Sequence, residues 1–227
     1  WARHELGDPV HHDDAAERVM DWIVPEKFRF PTPNRWHAGN KPGMVLPLEG
    51  VVMHYDVAGS AKGSTSWLCN PKAGASAHFV VDRNGDVYQL APLTDRTWHA
   101  GGTAASPTKF LGKTGVNSRT VGIEMNCWGP VRLGEDHVWH AQLPNGKWAG
   151  PVVPDVDVVT LPDGSWHKYT EAQIEASCLL ITEIGKLLPD TSPTRIVGHA
   201  DVDPGRKIDP GPLAPWDRWR RALRGQC

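Results

Sequence analysis

The sequence predicts an α/β fold, a mixed central β-sheet flanked by helices, behind an irregular N-terminal arm. Short apolar runs of strand length (VVMHY, TVGIEMN, RIVGH) are separated by a hairpin signal and by one long helical pattern. Their order is strand, hairpin, strand, helix, strand, helix, which calls for helices packed on a sheet, either α/β or α+β. Residues 1–50, in contrast, are polar and Pro-rich, with only the short pattern DAAERVMDWIV reading as helical. They are expected to wrap the domain as an arm without a core of their own, leaving residues 51–227 as the folded domain.

From residue 51 the elements follow one another. VVMHY reads as a buried strand ending at His54 and Tyr55. SAHFVVDRNGDVYQLA reads as a hairpin turning at Asn84-Gly85, a pair suited to the positive φ of a tight turn. TVGIEMN is a β-rich run in which Glu124 faces away from Val121, Ile123 and Met125, because strand side chains alternate. Residues 128–169 are broken by glycine and proline and are expected to form a loop-like insertion. TEAQIEASCLLITEIGKLL opens with T-x-x-Q, a capping-box pattern, and repeats apolar residues at helical spacing. RIVGH is a strand that runs into GHADVDPGRKIDPG, where two prolines and three glycines rule out a helix through the stretch. WDRWRRALR is expected to be a terminal helix with a solvated basic face. WHAG occurs at Trp36–Gly39 and at Trp98–Gly101, without the longer period that would mark a repeat architecture.

Composition narrows the function classes. The formal net charge of −2 argues against bulk attraction to nucleic acid or to an anionic membrane. No apolar run approaches the ~20 residues needed to span a bilayer. The chain opens on Trp1 with no leader pattern, so a removed or omitted segment is expected ahead of it, and a monomer is expected. The four cysteines lack CxxC spacing and are expected as buried free thiols. Eleven tryptophans are unusual, and several lie in polar, Gly-rich surroundings where an indole either packs beneath a loop or faces a ligand.

A catalytic zinc site takes three protein ligands and leaves one position open, and strand ends hold such side chains rigidly. His54 and His199 each end a strand, and Asp209 lies on the loop after His199, so two histidines and a carboxylate are available. The separation of His54 from His199 carries no motif signal. HHDD (His11, His12, Asp13 and Asp14), with His4 nearby, reads as a solvent-facing stretch of the arm or as a second metal site.

VVMHY, SAHFVVDRNGDVYQLAP, TWHAGG, TVGIEMN and IVGHADVDPGRKIDPGP resemble, in that order, the type-2 N-acetylmuramoyl-L-alanine amidase family. That family includes zinc peptidoglycan amidases of bacteria and phages and the peptidoglycan recognition proteins. The resemblance covers roughly residues 50–215; the arm and 128–169 carry little of it. It implies the amidase-2 fold, a Zn2+ ion on His54, His199 and Asp209, and bacterial peptidoglycan as partner. It places a catalytic acid–base on Glu124 and an oxyanion-stabilising cation on Lys207. His99 is expected to position substrate, His78 to pack or line the cleft, and Trp166, with Tyr169, to wall the stem peptide. Trp98 is expected to be structural. The implied reaction is hydrolysis of the amide between N-acetylmuramic acid and L-alanine, in the periplasm or outside the cell, or after release of a phage endolysin. The tryptophans of 128–169 favour polymeric wall over a soluble muropeptide as substrate. A non-catalytic peptidoglycan-binding module and a zinc amidohydrolase of another amide are the alternatives.

Overall fold

The structure, a computed structural model, describes residues 22–33, 35–36, 47–102, 107–143 and 146–227. Its principal strands are β1 (Gly50–Tyr55), β2 (Phe79–Val81), β3 (Val87–Gln89), β4 (Thr120–Met125), β5 (Pro130–Leu133), β6 (Trp139–Gln142), β7 (Trp148–Val153), β8 (Val158–Leu161), β9 (Gly164–His167) and β10 (Ile196–Gly198). Its helices are α1 (Ala61–Leu68), α2 (Glu171–Gly185), the single-turn α3 (His199–Val202) and α4 (Trp216–Ala222). No helix among the described residues is long and apolar enough to cross a membrane.

The central sheet has the order β10-β1-β4-β2-β3; its first four strands are parallel and β3 returns antiparallel from β2. Alternation sorts the two faces. Val51, Met53, Val121, Ile123, Met125, Phe79 and Val81 point into one core, filled from the other side by Ile181 and Ile184 of α2 and Trp219 of α4. Val52 and Val80 point to the opposite face, into two smaller clusters. The mixed sheet flanked by helices is therefore the architecture the sequence predicts.

Local chemistry sets the element ends. Asn84 and Gly85 make the β2–β3 turn, with Gly85 at φ 90° and the Asn84 Oδ1 accepting from the Asp86 N–H at 2.9 Å. The expected capping box starts α2: Thr170 Oγ1 accepts from the Gln173 N–H at 3.2 Å, and the Gln173 side chain accepts from the Thr170 N–H at 3.1 Å. On α4, Trp219, Ala222 and Leu223 pack inward while Arg220, Arg221 and Arg224 remain exposed. Of the four free cysteines, Cys127 and Cys178 are buried; Cys69 is half-buried and Cys227 exposed, so the expectation of buried thiols holds for two.

Residues 128–169 differ from expectation. Where described, they form a second, wholly antiparallel sheet of order β7-β6-β5-β9-β8 in place of the expected loop. Glycines that read as breakers are its turns: Gly146 at φ 78° and Gly164 at φ 144° close hairpins, and Val131, Ala141 and Val153 face inward between them. Four of these five strands are only four residues long, too short for periodicity to show.

Of the arm, residues 22–33 lie along the outer edge of the central sheet. Phe30 N–H donates to Gln89 O and Thr32 N–H to Leu90 O, both at 2.8 Å. This covers an edge that would otherwise present unpaired backbone groups. The HHDD stretch and most of the helical pattern DAAERVMDWIV lie outside the described residues.

Trp219 is fully buried and donates through Nε1 to Ser177 Oγ at 2.8 Å, joining α4 to α2. Trp219→Ala is expected to destabilise the fold by about 3–5 kcal/mol in urea denaturation, the usual cost of emptying a large aromatic site.

Candidate metal centre and cleft

Parallel pairing sets His54 of β1 directly opposite Glu124 of β4, and Gly198 of β10 opposite Met53. His199, one residue on, therefore emerges at the same carboxyl edge of the sheet as the first residue of α3. Strand alternation turns His54 and Glu124 away from the helix-packed core and into a cleft of about 800 Å3, where they meet His199, Lys207 and Asp209.

The loop after α3 returns Asp209 to His199 because its backbone is pinned. Ala200 N–H donates to Asp209 O at 2.9 Å, and Tyr169 Oη donates to Pro210 O at 2.7 Å. Gly198 must be glycine here, since a Cβ would come within 2.6 Å of the Pro210 ring. Gly211, at φ 80°, lies against the Trp166 indole, where a Cβ would meet the ring at 2.9 Å.

His54 Nδ1, His199 Nδ1 and Asp209 Oδ2 form a triangle with every side 3.0 Å, and all three residues are buried. No placement of protons on the two ring nitrogens satisfies all three sides: with both protonated, two N–H groups face each other; with one, the bare nitrogen and the carboxylate oxygen still set lone pairs against each other; with neither, three lone pairs converge. One central cation satisfies all three, and zinc bonds of about 2.0–2.1 Å at tetrahedral angles put ligand atoms about 3.3 Å apart. Nitrogen and carboxylate oxygen are donors that zinc accepts, so the residues fit the ion. Among the described residues this is the one group of three or more His, Cys, Asp or Glu side chains with metal-binding proximity.

Burial and neighbouring charge shape the protonation states. Burial pushes the His54 imidazole down to about 4, against the opposing pull of Asp209, so it is neutral, the form that ligates. Burial raises the Asp209 carboxyl, but the His199 and His54 imidazoles facing it outweigh that and hold it below the usual carboxylate range. Glu124 is pushed well above its ordinary value by burial, then by the carboxylates of Asp209 and Asp56, with Lys207 opposing. No hydrogen bond or ion pair engages the Glu124 carboxylate among the described residues.

The other expected site residues separate. His99 borders the cleft but is only 7% exposed, and its ring lies behind His54 at Nε2···Nδ1 3.1 Å. His78 is fully buried and does not line the cleft. Its Nε2–H donates to Asp95 O at 2.9 Å, and Nδ1 accepts from the Gly122 N–H at 3.1 Å, a wholly internal arrangement. Trp166 backs the Asp209 loop and lies outside the cleft lining, as does Tyr169. Trp139 Nε1 donates to Asp155 Oδ1 at 2.7 Å, and the Arg132 guanidinium covers Trp148 at 4.9 Å from its centroid; neither indole lines the cleft. The second sheet instead contributes Pro130, Gln142 and Leu143 to the cleft.

Trp98, expected to be structural, lines the cleft, and so do Trp67 and Arg206, which sequence reasoning missed. Trp67 lies on α1 and is 56% exposed; its one available signal was an indole on a short, mostly polar helix.

The sequence profile of the family described as N-acetylmuramoyl-L-alanine amidase matches residues 44–212, well over half of the chain and all of the residues just described. The chain belongs to this family. Among curated proteins it is similar to the 1,6-anhydro-N-acetylmuramyl-L-alanine amidase AmpD of Haemophilus influenzae, at 28% identity over 66% of this chain and 59% of the relative. It is also similar to the N-acetylmuramoyl-L-alanine amidase AmiD of Escherichia coli, at 29% identity over 75% of this chain and 51% of the relative. The chain thus spans between half and three-fifths of the length of these relatives. Among solved structures, AmiD of E. coli in complex with the substrate anhydro-N-acetylmuramic acid-L-Ala-D-gamma-Glu-L-Lys superposes with a TM-score of 0.57 at 23% identity, over 81% of this chain and 60% of that one. A selenomethionine AmpD derivative superposes at 0.55 over 88% of this chain and 95% of that one, at 20% identity. The amidase fold is shared.

Burial depresses His78 to about 4, against ~6.5 when unfolded. Below ~6.5 the unfolded chain binds a proton that the folded His78 refuses, so stability falls as pH drops from ~6.5 to about 4 and levels off beneath. Urea denaturation at a series of pH values is expected to show this loss, with a shallower slope for His78→Leu.

Proposed function

We propose that this amidase-family chain hydrolyses the amide between N-acetylmuramic acid and L-alanine in peptidoglycan, using a zinc ion held by His54, His199 and Asp209. The observation that carries the reading is the ligand triangle with Glu124 in register beside His54 at the same sheet edge, in a chain matched across all four residues. Zinc supplies Lewis acidity there, polarising the amide carbonyl and bringing the pKa of a water towards ~7.

The chain's own residues do the rest. Glu124 accepts the proton of the attacking water and delivers it to the departing alanine nitrogen, a transfer aided by a carboxyl that burial and the neighbouring carboxylates raise above its ordinary value. Lys207 borders the same cleft and places a positive charge near the carbonyl oxygen as that oxygen becomes an oxyanion. Trp67 and Trp98 offer indole surface to the saccharide or to the peptide stem. Because Trp139 and Trp148 do not line the cleft, polymeric wall and soluble muropeptide both belong in the assay.

The test is mass spectrometry of products from purified sacculi and from soluble anhydro-muropeptide. Stem peptides with a free L-alanine amine are expected, lost with chelator and restored by zinc. Intact sacculi that retain the protein would indicate a binding module and overturn the reading. Glu124→Gln is expected to lower turnover by about 100- to 10,000-fold with zinc content unchanged. Lys207→Ala is expected to lose about 100- to 1,000-fold in kcat.

A further inference from the structure

His99 was expected to touch substrate, but its hydrogen bonds run the other way, into the protein. His99 Nε2 lies 3.2 Å from Thr120 O and 3.3 Å from Thr120 Oγ1. The Thr120 hydroxyl has one hydrogen, and it is donated to Val116 O at 2.8 Å. Both oxygens facing His99 Nε2 are therefore acceptors, so Nε2 carries the hydrogen and donates. In the neutral ring that leaves Nδ1 as an acceptor. His99 Nδ1 lies 3.1 Å from His54 Nε2, with the two rings nearly perpendicular at 83°, so His54 must donate through Nε2. Its remaining nitrogen, Nδ1, is left with a lone pair, and Nδ1 is the atom in the ligand triangle.

We infer that His99 is a positioning residue that fixes the tautomer and ring orientation of His54, so that His54 presents a bare Nδ1 to the metal. This rests on the proposed reading of His54 as a zinc ligand. The relay runs from Val116 O through the Thr120 hydroxyl and His99 to His54, without a solvent-borne link. Metal-bound histidines are commonly held this way by an acceptor behind them; here the acceptor is a second imidazole, itself locked by backbone and hydroxyl oxygens. Gly122 makes the arrangement possible, since a Cβ there would lie 2.4 Å from His99 Cγ. His199 has no counterpart: its Nε2 is buried with no hydrogen-bond partner among the described residues. The orientation of the pair is thus set on the His54 side.

The test uses metal-free protein first. A long-range 15N–1H spectrum of the imidazoles is expected to show His54 as the Nε2–H tautomer; an Nδ1–H tautomer overturns the relay. Zinc affinity, measured by competition with a chromophoric chelator, is expected to fall about 10- to 100-fold in His99→Leu. His99→Asn, whose side-chain oxygen can take the place of Nδ1, is expected to recover most of the loss. Equal zinc affinity in wild type and His99→Leu overturns the relay alone. A wild-type protein that takes up no zinc overturns the metal reading and the relay with it. If His99→Leu does not fold, the wild-type tautomer decides.

Discussion

The site depends on the parallel register of β1 with β4 and β10. Within it, His54 and Glu124 stand side by side and His199 follows at the same edge. The register is enforced from the opposite face: Val51, Met53, Val121, Ile123 and Met125 must all enter the core beneath α2 and α4. A slip of one residue would expose that apolar set and turn His54 and Glu124 into the core. The same alternation that builds the hydrophobic core therefore delivers the polar pair to the cleft.

Around that edge the polypeptide is held by features that bind nothing themselves. Tyr169 grips the carbonyl of Pro210, Gly198 lets the Asp209 loop approach the strand, and Trp166 covers Gly211. Each lies within two residues of a ligand or in contact with its loop. A cleft that must hold three ligand atoms within a few tenths of an ångström needs such support, since a loop left to itself would fluctuate by more than that. The second sheet adds one wall to the cleft and, through Trp166 on β9, a brace behind the Asp209 loop.

Much of this was legible in the sequence. The strands carrying His54, Glu124 and Gly198 are compact apolar runs, and Thr170 with Gln173 announces the start of α2. The separation of His54 from His199 carries no spacing signal, so joining them required a motif order resembling known amidases. The second sheet was hidden because its strands are short and its turn glycines resemble loop punctuation. His78 and His99 were beyond sequence reasoning for another reason. Whether a histidine faces substrate or the interior depends on which backbone oxygens surround it, and Thr120, Val116 and Asp95 arrive from elements distant in sequence.

The account's central claim is that the carboxyl edge of the parallel sheet assembles a zinc centre of two imidazoles and one carboxylate. X-ray absorption at the zinc edge of the zinc-loaded protein tests it most directly. The account predicts a four-coordinate ion whose nearest shell is nitrogen and oxygen alone at about 2.0–2.2 Å, with two imidazole ring signatures, and a Asp209→Ala variant that loses them. A sulfur shell near ~2.3 Å, or an ion coordinated with no imidazole, would contradict it.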